Sequence, residues 1–340
     1  MVELPDYEYL EQLGEPGNFG TVFRAKNRLS GQLVAIKHID GNAVGVTLGD
    51  WKAEAVAMAA CEHENLAKIR HAEVTADGPV LVMEYLPDGS CESRWARRPV
   101  AVGCVINVVT DVCWGLHHLH TRQLTHRDIK PGNILLRGTQ AVLGDFGLAA
   151  APSVVPNMVY VAHTPAEVRA GAPWSAVADV YALGVTAYRL LCGDDDCGYT
   201  APDIMQRVVA GKWPDRSRWP LHVHKKLQRV LRAAMHPDPT KRPQTAAMMR
   251  DRIEAARPQV SLHQVGALRW KGSADGQQWQ VDITGSGSVW EVQTLRDLGK
   301  GLRRVPGART VVPSLGDATG IAKEVLEALA ATGTFLPPGP

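Results

Sequence analysis

Cysteine, surplus charge and long apolar runs are all scarce in this 340-residue sequence. Its six cysteines, Cys61, Cys91, Cys104, Cys113, Cys192 and Cys197, form no CxxC pair. Neither a CxxC redox motif nor a zinc site is therefore suggested, and buried or incidental thiols are the expectation. Lys and Arg number 37 against 35 Asp and Glu, a net charge of +2. The strong basic field of a general nucleic-acid binder is therefore missing, and nucleic acid is not an expected partner. No apolar run approaches the roughly 20 residues that a bilayer crossing needs. The start, MVELPDYEYL, lacks the basic and apolar regions of a signal peptide. A cytoplasmic protein with no membrane partner is the expectation. The remaining composition, 45% hydrophobic and 21% charged, is that of a globular chain of about two domains at ~150 residues each.

The residue pattern changes twice along the chain. The first hundred residues read as short strands around one helix: strand runs flank the glycine-rich LGEPGNFGTV, QLVAIKHI is a further strand, and DWKAEAVAMAACEHENLAKI is helical. From about residue 100 to 256 long helices dominate, including VGCVINVVTDVCWGLHHLHTR, SAVADVYALGVTAYRLLCG, VHKKLQRVLRAAM and TAAMMRDRIEAAR. A linker at 257–264 precedes a small α+β module at 265–334, read as three strands (GALRWKGS, QQWQVDI, SVWEVQTL) and two helices (LRDLGKGLRR, GIAKEVLEALAATG). Residues 335–340 form a tail expected to lack structure.

Phosphoryl transfer needs a phosphate cradle, a cation on the phosphates, metal ligands and a group that orients the incoming hydroxyl. Candidates for each occur in order. Gly17 and Gly20 let backbone N–H groups approach phosphate oxygens, although a glycine turn alone is also an ordinary hairpin. Lys37 lies on the next strand, and Glu54 in the predicted helix is its best carboxylate partner. In THRDIKPGN, Asp128 is placed to take or orient the hydroxyl proton, and Lys130 to neutralise the transferred group. Asn133 offers a neutral oxygen to a hard cation such as Mg2+. Asp145, twelve residues later in DFG, is the charged metal ligand.

Taken together, GNFGTV, VAIK, Glu54, VMEYL, HRDIKPGN, DFG, ADVYALGV and DPTKRP resemble the eukaryotic-type (Hanks-type) serine/threonine protein kinases over about residues 7 to 256. The resemblance implies a bilobal kinase fold of class α+β, with an N-lobe at about 1–86 and a C-lobe at about 87–256. It implies ATP with Mg2+, or Mn2+ in its place, as cofactors and a protein as substrate. Val22 and Ala35 would roof the adenine with Leu135 beneath; Met83 matches the gatekeeper, and the backbone of Glu84 and Leu86 would bond the adenine edge. Arg127 would gather an activation-loop phosphate, Asp179 would brace the catalytic loop, and Arg242 would pair with Glu167. The Ala- and Gly-rich usage suits a bacterial origin.

Three departures bear on activity. Pro16 marks a one-residue insertion in the glycine loop, so Gly14 is out of step. Pro165 and Ala166 stand in the reverse of the usual APE order, and Tyr160 occupies the position of a threonine that usually bonds the catalytic aspartate and lysine. The segment between Asp145 and Glu167 offers only Ser153, Tyr160 and Thr164 as phosphate acceptors, and Thr164 is equally a structural hydroxyl. These departures motivate the alternative, a pseudokinase-like nucleotide-binding scaffold acting through its C-terminal module. The complete catalytic set weighs against it. The strand–turn–strand–helix order of the module resembles the small HicB-type antitoxins. Trp270, Trp279 and Trp290 are expected in its core or half-buried, and Lys300, Arg303, Arg304 and Arg309 read as a solvated helix face, with a docking surface for substrate, regulator or RNA as the sharper reading; the module is a candidate site for a protein partner.

Overall fold

The computed structural model describes residues 3–14, 20–39, 56, 59–95, 98–145 and 161–337. Gly17, Glu54, Ser153 and Tyr160 lie outside these, as does nearly all of the helix expected after residue 50. The chain forms two compact units, each assembled from separated stretches. The first comprises Met1–Arg94, Asp111–Thr186 and His236–Arg250; the second comprises Trp95–Thr110, Ala187–Met235 and Asp251–Pro340. This division does not follow the expected boundary near residue 256, because parts of the helical region group with the C-terminal module.

In the first unit, strands β1 (Tyr7–Gln12), β2 (Thr21–Asn27), β3 (Leu33–His38), β4 (Ile69–Thr75) and β5 (Gly78–Glu84) form an antiparallel sheet in the order β1-β2-β3-β5-β4. Alternation along β3 and β5 drives Val34, Ile36, Val80 and Val82 into a core with Ala25 and Leu4. The β3–β5 register sets Ala35 opposite Met83 and Lys37 opposite Leu81. Among the described residues, the helices between this sheet and the C-terminal module, divided over both units, are α1 (Cys91–Trp95), α2 (Val102–His120), α3 (Ala166–Arg169), α4 (Ala176–Cys192), α5 (Asp194–Cys197), α6 (Ile204–Val209), α7 (Lys225–Ala234) and α8 (Ala246–Ala255). A short hairpin, β6 (Ile134–Arg137) and β7 (Gln140–Leu143), follows the HRDIKPGN loop.

Helix α2 buries Val102, Val105, Ile106, Val109, Val112, Leu116 and Leu119 at helical spacing. By length and composition it also passes as a bilayer-spanning helix, contrary to the reading that no run comes near that length. More than half of its apolar window is buried inside the protein, as in a core helix.

The C-terminal module is a meander of β8 (Ser261–Gly266), β9 (Arg269–Ala274), β10 (Gln277–Ser286), β11 (Val289–Asp297) and β12 (Arg303–Val312), antiparallel throughout, followed by α9 (Leu315–Thr332). Trp270, Trp279, Val281, Ile283 and Val292 pack against Ala322, Val325, Leu326 and Leu329 of α9, with Trp290 at the edge of the cluster. Two expectations are corrected. Residues 261 to 264, assigned to the linker, are the start of β8. LRDLGKGLRR is not a helix: Gly299 and Gly301 both take positive φ, and Asp297 Oδ1 accepts from the amides of residues 299, 300 and 301, which closes a turn. The β-branched run through Val305, Thr310, Val311 and Val312 then continues as strand. Lys300 is thus in the turn, and Arg303, Arg304 and Arg309 are on β12. The helix expected directly after β11 is thus replaced by a turn and β12, and the strand–turn–strand–helix order falls one strand later, at β11, β12 and α9.

Candidate active site

Lys37 leaves β3 as a nearly buried side chain and pairs directly with the Asp145 carboxylate, joining groups 108 residues apart. Desolvation acts to raise the Asp145 pKa; the Lys37 ammonium, aided by Lys130 and His126, overrides it and holds the carboxyl below the usual range. Asp145 also has φ +57, a left-handed conformation uncommon outside glycine, asparagine and aspartate and found at functional sites. Gly20 is required where it stands. With φ +127, an added Cβ would lie 1.8 Å from the His38 carbonyl oxygen.

In the catalytic loop, Lys130 Nζ donates to Asp128 Oδ2 at 2.9 Å. Asn133 Nδ2 donates to the Asp128 carbonyl at 2.7 Å and to Asp128 Oδ2 at 2.8 Å. With its nitrogen so committed, the Asn133 amide presents its oxygen elsewhere. The loop is held from below. Asp179, buried near the start of α4, accepts from the amides of His126 (2.9 Å) and Arg127 (3.0 Å), from Trp174 Nε1 (2.8 Å) and from His120 Nε2 (2.9 Å). Burial would raise its pKa, but His120 and His126 with the Arg127 amide keep it low and ionised. Burial also pushes the His126 imidazole down, against the pull of Asp179 and Asp128. The neutral ring donates from Nε2 to the Gly144 carbonyl at 2.9 Å and accepts the Asp128 amide at Nδ1 at 3.3 Å. It thereby ties the catalytic aspartate to the approach of DFG.

Of the adenine-side residues, Ala35 and Met83 are paired across β3 and β5. Val22 on β2 is opposite Lys37, and Ala35, Met83 and Leu86 are buried. Leu135 is half-buried on β6. The Glu84 amide donates to the Lys68 carbonyl at 2.9 Å, so its backbone contribution to an adenine edge is the carbonyl. Its side chain is taken by Arg137, with contacts of 3.0 and 2.8 Å.

Arg242 meets Glu167 through two bonds of 2.5 and 2.9 Å, so the reversed Pro165–Ala166 order still delivers the glutamate, with Pro165 as the N-cap of α3. Arg127 is fully buried, with φ +69 and Nε donating to Thr125 at 3.1 Å. Thr164 is 4% exposed, which puts its hydroxyl out of reach of a phosphate donor in this conformation and favours the structural reading. Sequence reasoning missed His120 and Trp174 as holders of Asp179. The signal was faint: polar side chains ending an apolar helix and opening α4.

Residues 7–252 match the protein kinase domain family, 72% of the chain. The chain belongs to the protein kinases. It is 32% identical over 276 residues to the serine/threonine-protein kinase Pkn1 of Myxococcus xanthus, covering 75% of this chain and 39% of that protein. It is 30% identical over 278 residues to pkn2 of the same organism, covering 76% and 33%. To PrkC of Bacillus subtilis it is 27% identical over 264 residues, covering 74% and 40%. The matched stretch thus spans no more than two fifths of these relatives' length. The sheet-rich N-terminal part and helical part are those the kinase resemblance implied; the C-terminal sheet lies beyond the matched kinase domain.

The family implies a nucleotide and a divalent metal, and the donor set fits: a depressed carboxylate at Asp145 and an amide oxygen at Asn133 are hard ligands. Among the described residues no cluster of three or more His, Cys, Asp or Glu is arranged to hold a metal alone. An ion here would complete its shell with phosphate and water.

Proposed function

We propose that this chain is an ATP-dependent serine/threonine protein kinase that moves the γ-phosphoryl group to a hydroxyl of a protein. The observation that carries the reading is the Asp128 carboxylate, fixed by Lys130 and Asn133 at 2.9 and 2.8 Å, in the same unit as the Lys37–Asp145 pair. Asp128 accepts the proton as the substrate hydroxyl attacks phosphorus and the bond to ADP breaks. Lys130 balances charge on the transferred group, and Lys37 holds the phosphates of the bound nucleotide. Asn133 Oδ1 and the Asp145 carboxylate would hold Mg2+, for which Mn2+ can substitute. When bound, the ion supplies positive charge that offsets the phosphate oxygens. Lys130 and the names of the relatives support serine/threonine over tyrosine specificity.

Incubation of purified protein with ATP and Mg2+, beside Asp128→Asn and with phosphosites mapped by mass spectrometry, tests this reading. Phosphate on the wild type alone supports a kinase. ATP binding without transfer to itself or to a panel of proteins, and unchanged in Asp128→Asn, sinks the proposal in favour of a nucleotide-binding scaffold.

A further inference from the structure

Helices begin with N–H groups that lack intrahelical partners, and a local Ser, Thr, Asp or Asn usually satisfies one of them. At two helices that lack such a local cap, a distant side chain supplies the acceptor. Ala101 precedes α2, and the Gly103 amide instead donates to Ser261 Oγ of β8 at 2.9 Å, from 158 residues away. At α7, His224 supplies no side-chain bond, and the Lys225 amide donates to both carboxylate oxygens of Glu327 on α9, at 3.1 and 3.0 Å. A carboxylate there also meets the positive end of the α7 dipole.

The chain between these points is not a loose tether. Gly103, Asn107 and Thr110 lie on one face of α2. Asn107 Oδ1 accepts from Arg257 at 2.9 Å, and Thr110 donates to Glu254 at 2.6 Å. Residues 254 to 261 therefore follow α2. At Gly103 the approach leaves no room for a side chain: a Cβ would lie 2.7 Å from Ser261 Oγ. Leu221, from the segment before α7, packs into the module's core. At its other end, the same unbroken α2 places His120 against Asp179, which holds the amides of the catalytic loop.

We propose that the C-terminal module is a working part of the kinase, with Ser261 and Glu327 as positioning residues that cap α2 and α7 and, through α2, steady the catalytic loop. The functional half of this rests on the kinase reading above. A module attached only to recruit partners would leave the catalytic loop indifferent to these caps.

Hydrogen exchange on the full-length protein tests the proposal, with Ser261→Ala, Ser261→Thr and Glu327→Gln beside wild type. Ser261→Ala should speed exchange at the Gly103 amide roughly fivefold, the usual scale for a lost cap, and speed it also at His126 and Arg127. Ser261→Thr, which keeps the hydroxyl, should restore both. Glu327→Gln, which keeps one acceptor oxygen, should give a smaller change centred on Lys225, and it carries the test if Ser261→Ala does not fold. With ATP and Mg2+, Ser261→Ala should lower kcat several-fold and leave KM for ATP unchanged. Faster exchange at Gly103 alone, with His126, Arg127 and kcat as in wild type, would overturn the proposal. If the wild type transfers no phosphate but the exchange pattern holds, the kinase reading fails and the positioning role stands.

Discussion

Asn133 commits its nitrogen to Asp128, and on the proposed reading its oxygen serves a cation, so one side chain would link the proton acceptor to the metal. Asn133→Ala removes both roles. The expected result is a fall in kcat of about 10²-fold or more, together with a higher Mg2+ requirement, read from initial rates across a Mg2+ titration. Asp128→Asn keeps the shape but loses the proton acceptor, and kcat should fall by about 10²–10⁴ with ATP affinity retained, measured by single-turnover transfer and by nucleotide titration. Gly20→Ala acts through the backbone. Positive φ and the His38 carbonyl leave no room for a methyl, so a loss of more than ~1 kcal/mol and weaker ATP binding are expected in thermal melts with and without nucleotide.

Elements obey the same chemistry through their ends and partners. Glu167 delivers its carboxylate from a helix of four residues to Arg242, whose side chain is completely buried. Glu167→Ala would strand that charge, at a cost of about 3–5 kcal/mol, visible as a lower midpoint in urea. Contacts like this one were legible in the sequence because the residues sit in motifs whose spacing is set by the loops that carry them. Lys130 and Asn133 both bond to Asp128, a few residues away in the same loop, while Asp145 bonds to Lys37. What was illegible depended on tertiary partners. LRDLGKGLRR has apolar and basic residues at helical spacing, and only the three amides bonded to Asp297 show that its glycines make a turn. The caps on α2 and α7 left no local trace, since Ser261 and Glu327 are far away in sequence.

At the scale of the molecule, pH should act on the second unit through His222. This residue is buried, and among the described residues neither ring nitrogen has a hydrogen-bond partner. Burial first, and then His263 of β8, push its pKa down to about 4. His263 in turn feels Lys271 of β9. The folded state thus favours the neutral ring, and the unfolded state binds the proton more readily. Stability from this source is complete above about pH 6.5 and is lost as pH falls toward 4, amounting to about 2 kcal/mol at pH 5. Melting at pH 7 and pH 5 should show this drop, and His222→Phe should flatten it.

The cysteines noted at the outset acquire a practical meaning from where they fall. Five of the six thiols are buried, and burial pushes Cys91 and Cys197 up to about 12, far from the reactive thiolate. Cys104 alone is exposed, one residue beyond the amide that Ser261 caps. The native chain therefore offers a single attachment point for a thiol-directed fluorophore or spin label, next to the contact between α2 and the C-terminal sheet. A probe placed there would report the making and breaking of that contact in real time, with no residue of the protein changed.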